Sequence, residues 1–507
     1  MQVRIKPGNI HLTADQAIVL GCFEAVERLT GRLKAVDLVL GGEIGRLLEV
    51  GDFAGQLGQT AVLYPHGALK SQRVILTGLG KREEVTGERL RRAYGFAGRK
   101  IRELRLESVS ASVPESIRPK IKLEQAAQAM VEGILLSNYK LDRYKSGDES
   151  RRPALGNLTI VEEDRQKIAE IERGIRQGET FAWTASFTRD LANQPANYLT
   201  PERFAGEAEK LAKESNLRCE IFSSAQIRKL GMNALLAVGA GSSQSPKLVV
   251  LEYSPPKRAI NTLALVGKGI TFDAGGLSLK QTENMLDMKG DMMGGAVVMS
   301  GIAACAKMKL PLHLVGIVPA AENLPSGTAQ KIGDIITSHS GKTIEVLNTD
   351  AEGRLILADA LSFAQSFKPD AIIDVATLTA AIKTALGSIC AGFFSNHPRL
   401  RDRIVKAGEL TGERVWEMPL WDEYREFLKS DLADIKNVGG KWGGAILAAT
   451  FLKTFVGDFP WLHLDIAGVD FTDKDDCYFK DDSYWTKGAT GFGARLLLQF
   501  LKDWERI

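Results

Sequence analysis

Histidine and cysteine are scarce in this chain of 507 residues, with six of the first and five of the second. The cysteines, at 22, 219, 305, 390 and 477, are scattered, odd in number and without a C-x-x-C pair. That argues against a disulfide scaffold and fits a reducing cytoplasm. No H-E-x-x-H occurs, which speaks against the histidine-ligated zinc proteases. No apolar run approaches the ~18 residues of a membrane helix, so none is expected. The opening MQVRIKPGNIHLTADQAIVL lacks the basic head, apolar block and small-residue cleavage site of a signal peptide. Charge of one sign is also lacking. With 65 basic and 62 acidic residues the net charge is +3, too small by itself to imply nucleic acid or a membrane surface. What remains is an ordinary soluble composition, 44% hydrophobic and 25% charged. At ~150 residues per domain the length suggests two to four domains.

Short apolar runs at 35–41, 60–65, 73–80 and 157–164 read as strands, with helical patterns over 83–106 and 123–136 between them. This predicts an amino-terminal α/β domain over 1–161. The polar stretch YKSGDESRRPALGN (144–157) suggests its end. Residues 162–194 have helix-forming composition and no proline, and read as a connecting helix. From 195 to 507 strand and helix alternate. Strands are expected at 217–223, 247–253, 261–267, 312–320, 343–348 and 371–377, with helices at 294–309 and 354–367. Near-continuous apolar strands alternating with helices predict a mainly parallel sheet flanked by helices, an α/β fold.

The chemistry concentrates in GKGITFDAGGLSLK (267–280), MKGDMMGG (288–295) and NTDAEGRL (348–355). Lys268, Asp350 and Thr377 each fall at or just past the end of an expected strand, where open α/β sheets place their sites. Asp273, Asp291, Asp350 and Glu352 would then converge. Four packed carboxylates repel unless cations compensate. Two divalent metals would do so, and paired metals activate a water and polarise a carbonyl. All-oxygen ligands favour Mg²⁺ or Mn²⁺, although zinc also accepts carboxylates. Lys268, Lys280 and Arg354 lie beside the acids. A lysine amine binds a metal only when neutral, and adjacent dications lower its pKa. Taken singly, each acid is more simply a surface loop residue. The density of both charges among glycine pairs after successive strands is what favours a site.

These same segments resemble the cytosolic leucyl aminopeptidases, a two-metal peptidase family. VATLTAA (375–381), SDLADIKNVGG (430–440), HLDIAG with KGATGFGAR (463–495) and TRDLANQPANYLTPE (188–202) resemble that family too, in order and spacing. The likeness covers about 160–500; the first ~160 residues resemble it only in size and α/β character. The resemblance implies metal ligands at Lys268, Asp273, Asp291, Asp350 and Glu352, with Asp273 and Glu352 bridging two ions, Mn²⁺ or Zn²⁺. It implies catalytic roles for Lys280 as oxyanion partner and Arg354 as the holder of a bicarbonate general base, with backbone donors near Leu378. It further implies cleavage of unsubstituted, preferentially leucine-like amino-terminal residues from peptides in intracellular protein turnover. A cytoplasmic homohexamer is the implied assembly.

Other features carry weaker readings. Met285, Met288, Thr377, Leu378 and Ala380 are read equally as a pocket for the first side chain or as core. RVILTGLG (73–80) reads as a tight turn rather than a nucleotide loop. His463 reads as a satisfied core histidine. The run 89–105 carries seven basic residues, a solvated helix face or a DNA contact. A DNA-binding architectural protein with an incidental peptidase site is therefore the alternative from another class. A two-metal phosphoesterase is disfavoured, since such centres draw more on His and Asp.

Overall fold

A computed structural model describes residues 1–26, 28–117, 120–147, 154–472 and 482–505. Residues 148–153 of the expected linker, and Cys477, lie outside these. Cys22, Cys219, Cys305 and Cys390 are all free. No helix among the described residues is long and apolar enough to cross a membrane. The chain divides into two compact units, Met1–Trp183 with 480–486, and Thr184–Phe479 with 487–507.

The first unit holds a six-stranded sheet. Its strands are β1 (Gln2–Pro7), β2 (Ala17–Cys22), β3 (Thr60–Leu63), β4 (Val74–Gly78), β5 (Ser108–Ala111) and β6 (Asn157–Glu162), in the order β1-β6-β5-β2-β4-β3. All pairs are parallel except β3 with β4. Apolar clusters lie on both faces, one including residues of the helices Gly87–Glu103 and Leu123–Ser137 and the other those of Gly31–Val39.

The run 35–41, expected as a strand, is instead the end of the helix Gly31–Val39 and the residues after it. Arg32 and Val36 are buried one turn apart while Leu38 and Val39 face solvent, a helical spacing that a short apolar run conceals. The turn at 78–80 is packed by its own chain. A Cβ on Gly78 would lie 1.9 Å from the Gln56 carbonyl oxygen, and Gly80 has φ +75°.

The second unit contains β7 (Arg218–Phe222), β8 (Lys247–Tyr253), β9 (Thr262–Gly267), β10 (Gly269–Asp273), β11 (His313–Asn323), β12 (Ile335–Thr337), β13 (Thr343–Glu345), β14 (Ala371–Ala376), β15 (Ala391–Ser395), β16 (Val415–Glu417), β17 (Ile435–Lys436) and β18 (Trp461–Asp465). Nine form one sheet ordered β16-β15-β18-β14-β9-β11-β8-β7, with β10 also on β11. Its centre, β18-β14-β9-β11, is parallel. β12, β13 and β17 form a separate small sheet. The helix Met293–Met308 packs over β9, β11 and β14, and Glu352–Ala364 also packs on β9 and β11. In the former every residue from Met293 to Cys305 is buried, which places it inside the unit.

Candidate metal centre

The parallel strands deliver their carboxyl ends to one place, and the motif residues stand there. Lys268 links β9 to β10, Asp273 ends β10, and Asp291 lies just before the helix Met293–Met308. Asp350, Glu352 and Arg354 sit at the start of the helix Glu352–Ala364, and Thr377 follows β14. Close approach is made by missing side chains. A Cβ on Gly294 would lie 2.1 Å from the Val375 carbonyl oxygen, and one on Gly353 would lie 2.7 Å from Lys268 Cε.

Lys268 Nζ lies 2.8 Å from Asp291 Oδ2 and from Glu352 Oε1, and donates to the Thr377 carbonyl at 2.9 Å. Lys280 Nζ lies 2.8 Å from Asp273 Oδ2 and also pairs with Asp350. One carboxylate oxygen from each of Asp273, Asp350 and Glu352 falls within 4.8 Å of the others. All five expected ligands and Lys280 are thus brought together. Around them is an uncharged scaffold, of which motif reading singles out only Thr377. Asn323 Nδ2 donates to Asp273 Oδ1 at 2.8 Å and to the Thr349 carbonyl at 3.0 Å. Thr377 Oγ1 donates to Asp291 Oδ1 at 2.8 Å, and Thr349 Oγ1 donates to the Gly275 carbonyl at 2.7 Å. Asn323 ends β11, three residues beyond the run expected as a strand at 312–320, so no signal in the sequence marks it.

Burial and mutual repulsion dominate the electrostatics. Burial and the nearby Glu352 push the Asp273 carboxyl up to about 7 against the pull of Lys280 and Lys268. Burial likewise raises Asp291 well above the usual range and raises Asp350. For Glu352 burial acts upward too, but the two lysines outweigh it and hold it below its ordinary value. Burial opposes the charge on Lys268 and Lys280, yet the acids around them raise both.

Four carboxylates against two ammonium groups leave uncompensated negative charge in a buried place. Asp291 Oδ2, Asp350 Oδ1 and Glu352 Oε1 are buried, and each meets only a lysine ammonium. Buried oxygens of this kind suit a hard divalent cation.

Arg354 is buried and donates through Nη1 to the Asn437 carbonyl at 2.9 Å, while its Nε has no partner. Burial pulls its guanidinium down to about 10. An unpartnered donor on a buried guanidinium suits a small carboxylate-shaped anion. The Leu378 N–H donates to Asp465 Oδ1 at 3.0 Å. Of the other pocket candidates Thr377 is buried, Met285, Met288 and Leu378 are half-buried and Ala380 is exposed. His463 is buried on β18, with Nδ1 against Asp374 and Nε2 unpartnered. In the basic run, Arg89, Arg91, Arg92 and Lys100 pair with Glu84, Glu132, Asp482 and Glu103, and Arg102 donates to the Ser137 carbonyl. That run is largely neutralised within its own unit.

Residues 186–498 match the catalytic domain of the cytosol aminopeptidase family, and 19–148 match its N-terminal domain. A probable cytosol aminopeptidase of Roseiflexus castenholzii is 44% identical over the whole of both chains. One from Geobacter sp. is also 44% identical, over 99% of this chain and 100% of that one. Among solved structures, the bottromycin maturation enzyme BotP in complex with Mn aligns with a TM-score of 0.85 at 32% identity, covering 96% of this chain and 99% of that one. A mutant tomato leucine aminopeptidase aligns at 0.86 and 32%, covering 99% and 96%.

Proposed function

The chain belongs to the cytosol aminopeptidase family and is an aminopeptidase of that kind; from this premise we propose a two-metal enzyme that removes unsubstituted, preferentially leucine-like residues from peptide amino termini. Lys268, Asp273, Asp291, Asp350 and Glu352 would hold two divalent ions, Mn²⁺ or Zn²⁺. Such ions supply an acidified water and polarise the scissile carbonyl. The observation that carries the reading is the buried excess of carboxylate over the two lysines that meet it, with Asp291, Asp350 and Glu352 each presenting an oxygen that only an ammonium reaches.

The chain's own groups do the rest. Lys280 is the less buried of the two lysines, at 16% against 3% exposure. Its ammonium faces the substrate side and stabilises the oxyanion that forms on the carbonyl. Arg354, whose Nε has no partner, would hold a bicarbonate beside Leu378, and such an anion would supply the general base. The scarcity of histidine is then no obstacle. Peptide turnover in the cytoplasm and a homohexameric assembly come with the family reading. No observation favours DNA binding as a second reading, since the basic run is paired internally.

The test is hydrolysis of a leucine anilide by chelator-stripped protein, with Mn²⁺, Zn²⁺ or Mg²⁺ restored and the Nα-acetylated substrate alongside. Metal-restored cleavage of the free-amine substrate alone is expected. Absence of cleavage with every metal, in folded protein, overturns the reading.

A further inference from the structure

One buried titratable group has no part in the reaction outlined above. His463 is fully buried at the centre of β18, directly between Asp374 on β14 and Phe394 on β15 in strand register. Its ring stacks between Trp461, at 6.2 Å and 13°, and Phe394, at 5.9 Å and 25°. Its Nδ1 lies 2.5 Å from Asp374 Oδ1, and Trp461 Nε1 donates to Asp374 Oδ2 at 2.6 Å. Nε2 has no partner. Ordinary cores do not keep an ionisable ring half-satisfied when an apolar one would pack as well.

Two residues on, and on the same sheet face, stands Asp465, also fully buried. Its Oδ1 accepts from the amides of Leu378, Thr379 and Ala467 at 3.0, 3.4 and 3.2 Å, and its Oδ2 from Thr379 Oγ1 at 2.7 Å. The loop it grips is the one whose Thr377 touches Asp291 through Oγ1 and Lys268 through its carbonyl. Burial works against charge on His463, but Asp374 and Asp465 outweigh it and hold the ring's pKa above its ordinary value, while Arg354 opposes them. In return the imidazolium offsets part of the burial that raises Asp465.

We propose that His463 is a positioning residue: clamped by Asp374, it stabilises the Asp465 carboxylate, which holds the Thr377–Thr379 loop against the lysine–carboxylate cluster. The proposal rests on the aminopeptidase reading for its kinetic consequence, whereas the state of the loop is read independently of activity.

The test pairs a variant that removes charge while keeping the stack, Asp374→Asn with His463→Phe, against the near-isosteric Asp465→Asn. Amide exchange of Leu378 and Thr379, read by mass spectrometry, is expected to quicken at least tenfold in both, with the helix Met293–Met308 unchanged. With leucine anilide, kcat is expected to fall at least tenfold in both while KM stays within threefold. Because one group acts through the other, combining all three changes should add less than twofold. Unchanged loop exchange in the folded double variant, unchanged kcat, or additive losses overturn the proposal. If the unaltered enzyme cleaves nothing, the aminopeptidase reading fails, and loop exchange alone still decides whether His463 braces the loop.

Discussion

Lys268 and Lys280 carry the same side chain into different surroundings, and their substitutions should part accordingly. Lys268 is sealed among Asp291, Glu352 and the Thr377 carbonyl. Replacing it with Met leaves two buried acids without their cation, a loss of about 3–5 kcal/mol when one partner of a buried pair is removed, and metal retention should go with it. Lys280→Met removes a more accessible ammonium. It should keep its metal while kcat falls ~10²–10³-fold, the scale of losing one oxyanion donor. Metal analysis beside steady-state kinetics separates the two; metal loss in Lys280→Met would remove that residue from the catalytic role.

Asn323 is the second case at this scale. Asn323→Ala strips donors from Asp273 and from the buried Thr349 carbonyl. The expected cost is about 1–3 kcal/mol for groups left unsatisfied, read from urea unfolding of the metal-stripped protein. A change under a few tenths would show that the amide only fills space.

At the scale of elements, the centre is assembled by backbones that approach too closely for side chains. Gly294→Ala would drive a methyl into the Val375 carbonyl, backbone against backbone, whereas Gly353→Ala meets the flexible end of Lys268. The first should therefore destabilise the fold by about 1–3 kcal/mol or more. The second should cost less stability than the first, because a side-chain end can shift, and should mainly weaken metal binding by displacing the ammonium from Asp291 and Glu352. Equal effects on both measures would mean that the two glycines play one role.

The same elements explain what sequence could disclose. Strands β8, β9, β11 and β14 were legible because strands buried on both faces read as unbroken apolar runs. The charged motif residues were legible because acids and lysines among glycines have few reasons to sit at strand ends. Gln2–Pro7 was missed because its residues are exposed or half-buried and present no apolar run. The uncharged bracket of Asn323 and Thr349 was missed because its role lies in partners 26 to 74 residues away. No spacing rule reaches that far.

At the scale of the whole molecule, two units share one chain but not one charge distribution. The expected metal ligands all lie in the second unit. There the acids repel and outnumber the lysines that meet their buried oxygens. A cation that binds the folded state and not the unfolded chain stabilises it by about 2.7 kcal/mol at a hundred times its Kd. For a unit of about three hundred residues, at about 2.1 cal/mol/K per residue, each kcal/mol raises the midpoint by roughly 1.5 °C. Mn²⁺ should therefore raise the second unit's calorimetric transition by about 4 °C over the chelated protein. Amide exchange should slow in the helix Glu352–Ala364 and stay unchanged in β2, β4 and β5 of the first unit, which carry none of the ligands. A midpoint indifferent to metal would mean that Lys268 and Lys280 already neutralise the cluster. Protection rising equally in both units would mean that the ion acts on the chain as a whole rather than at the site where the acids converge.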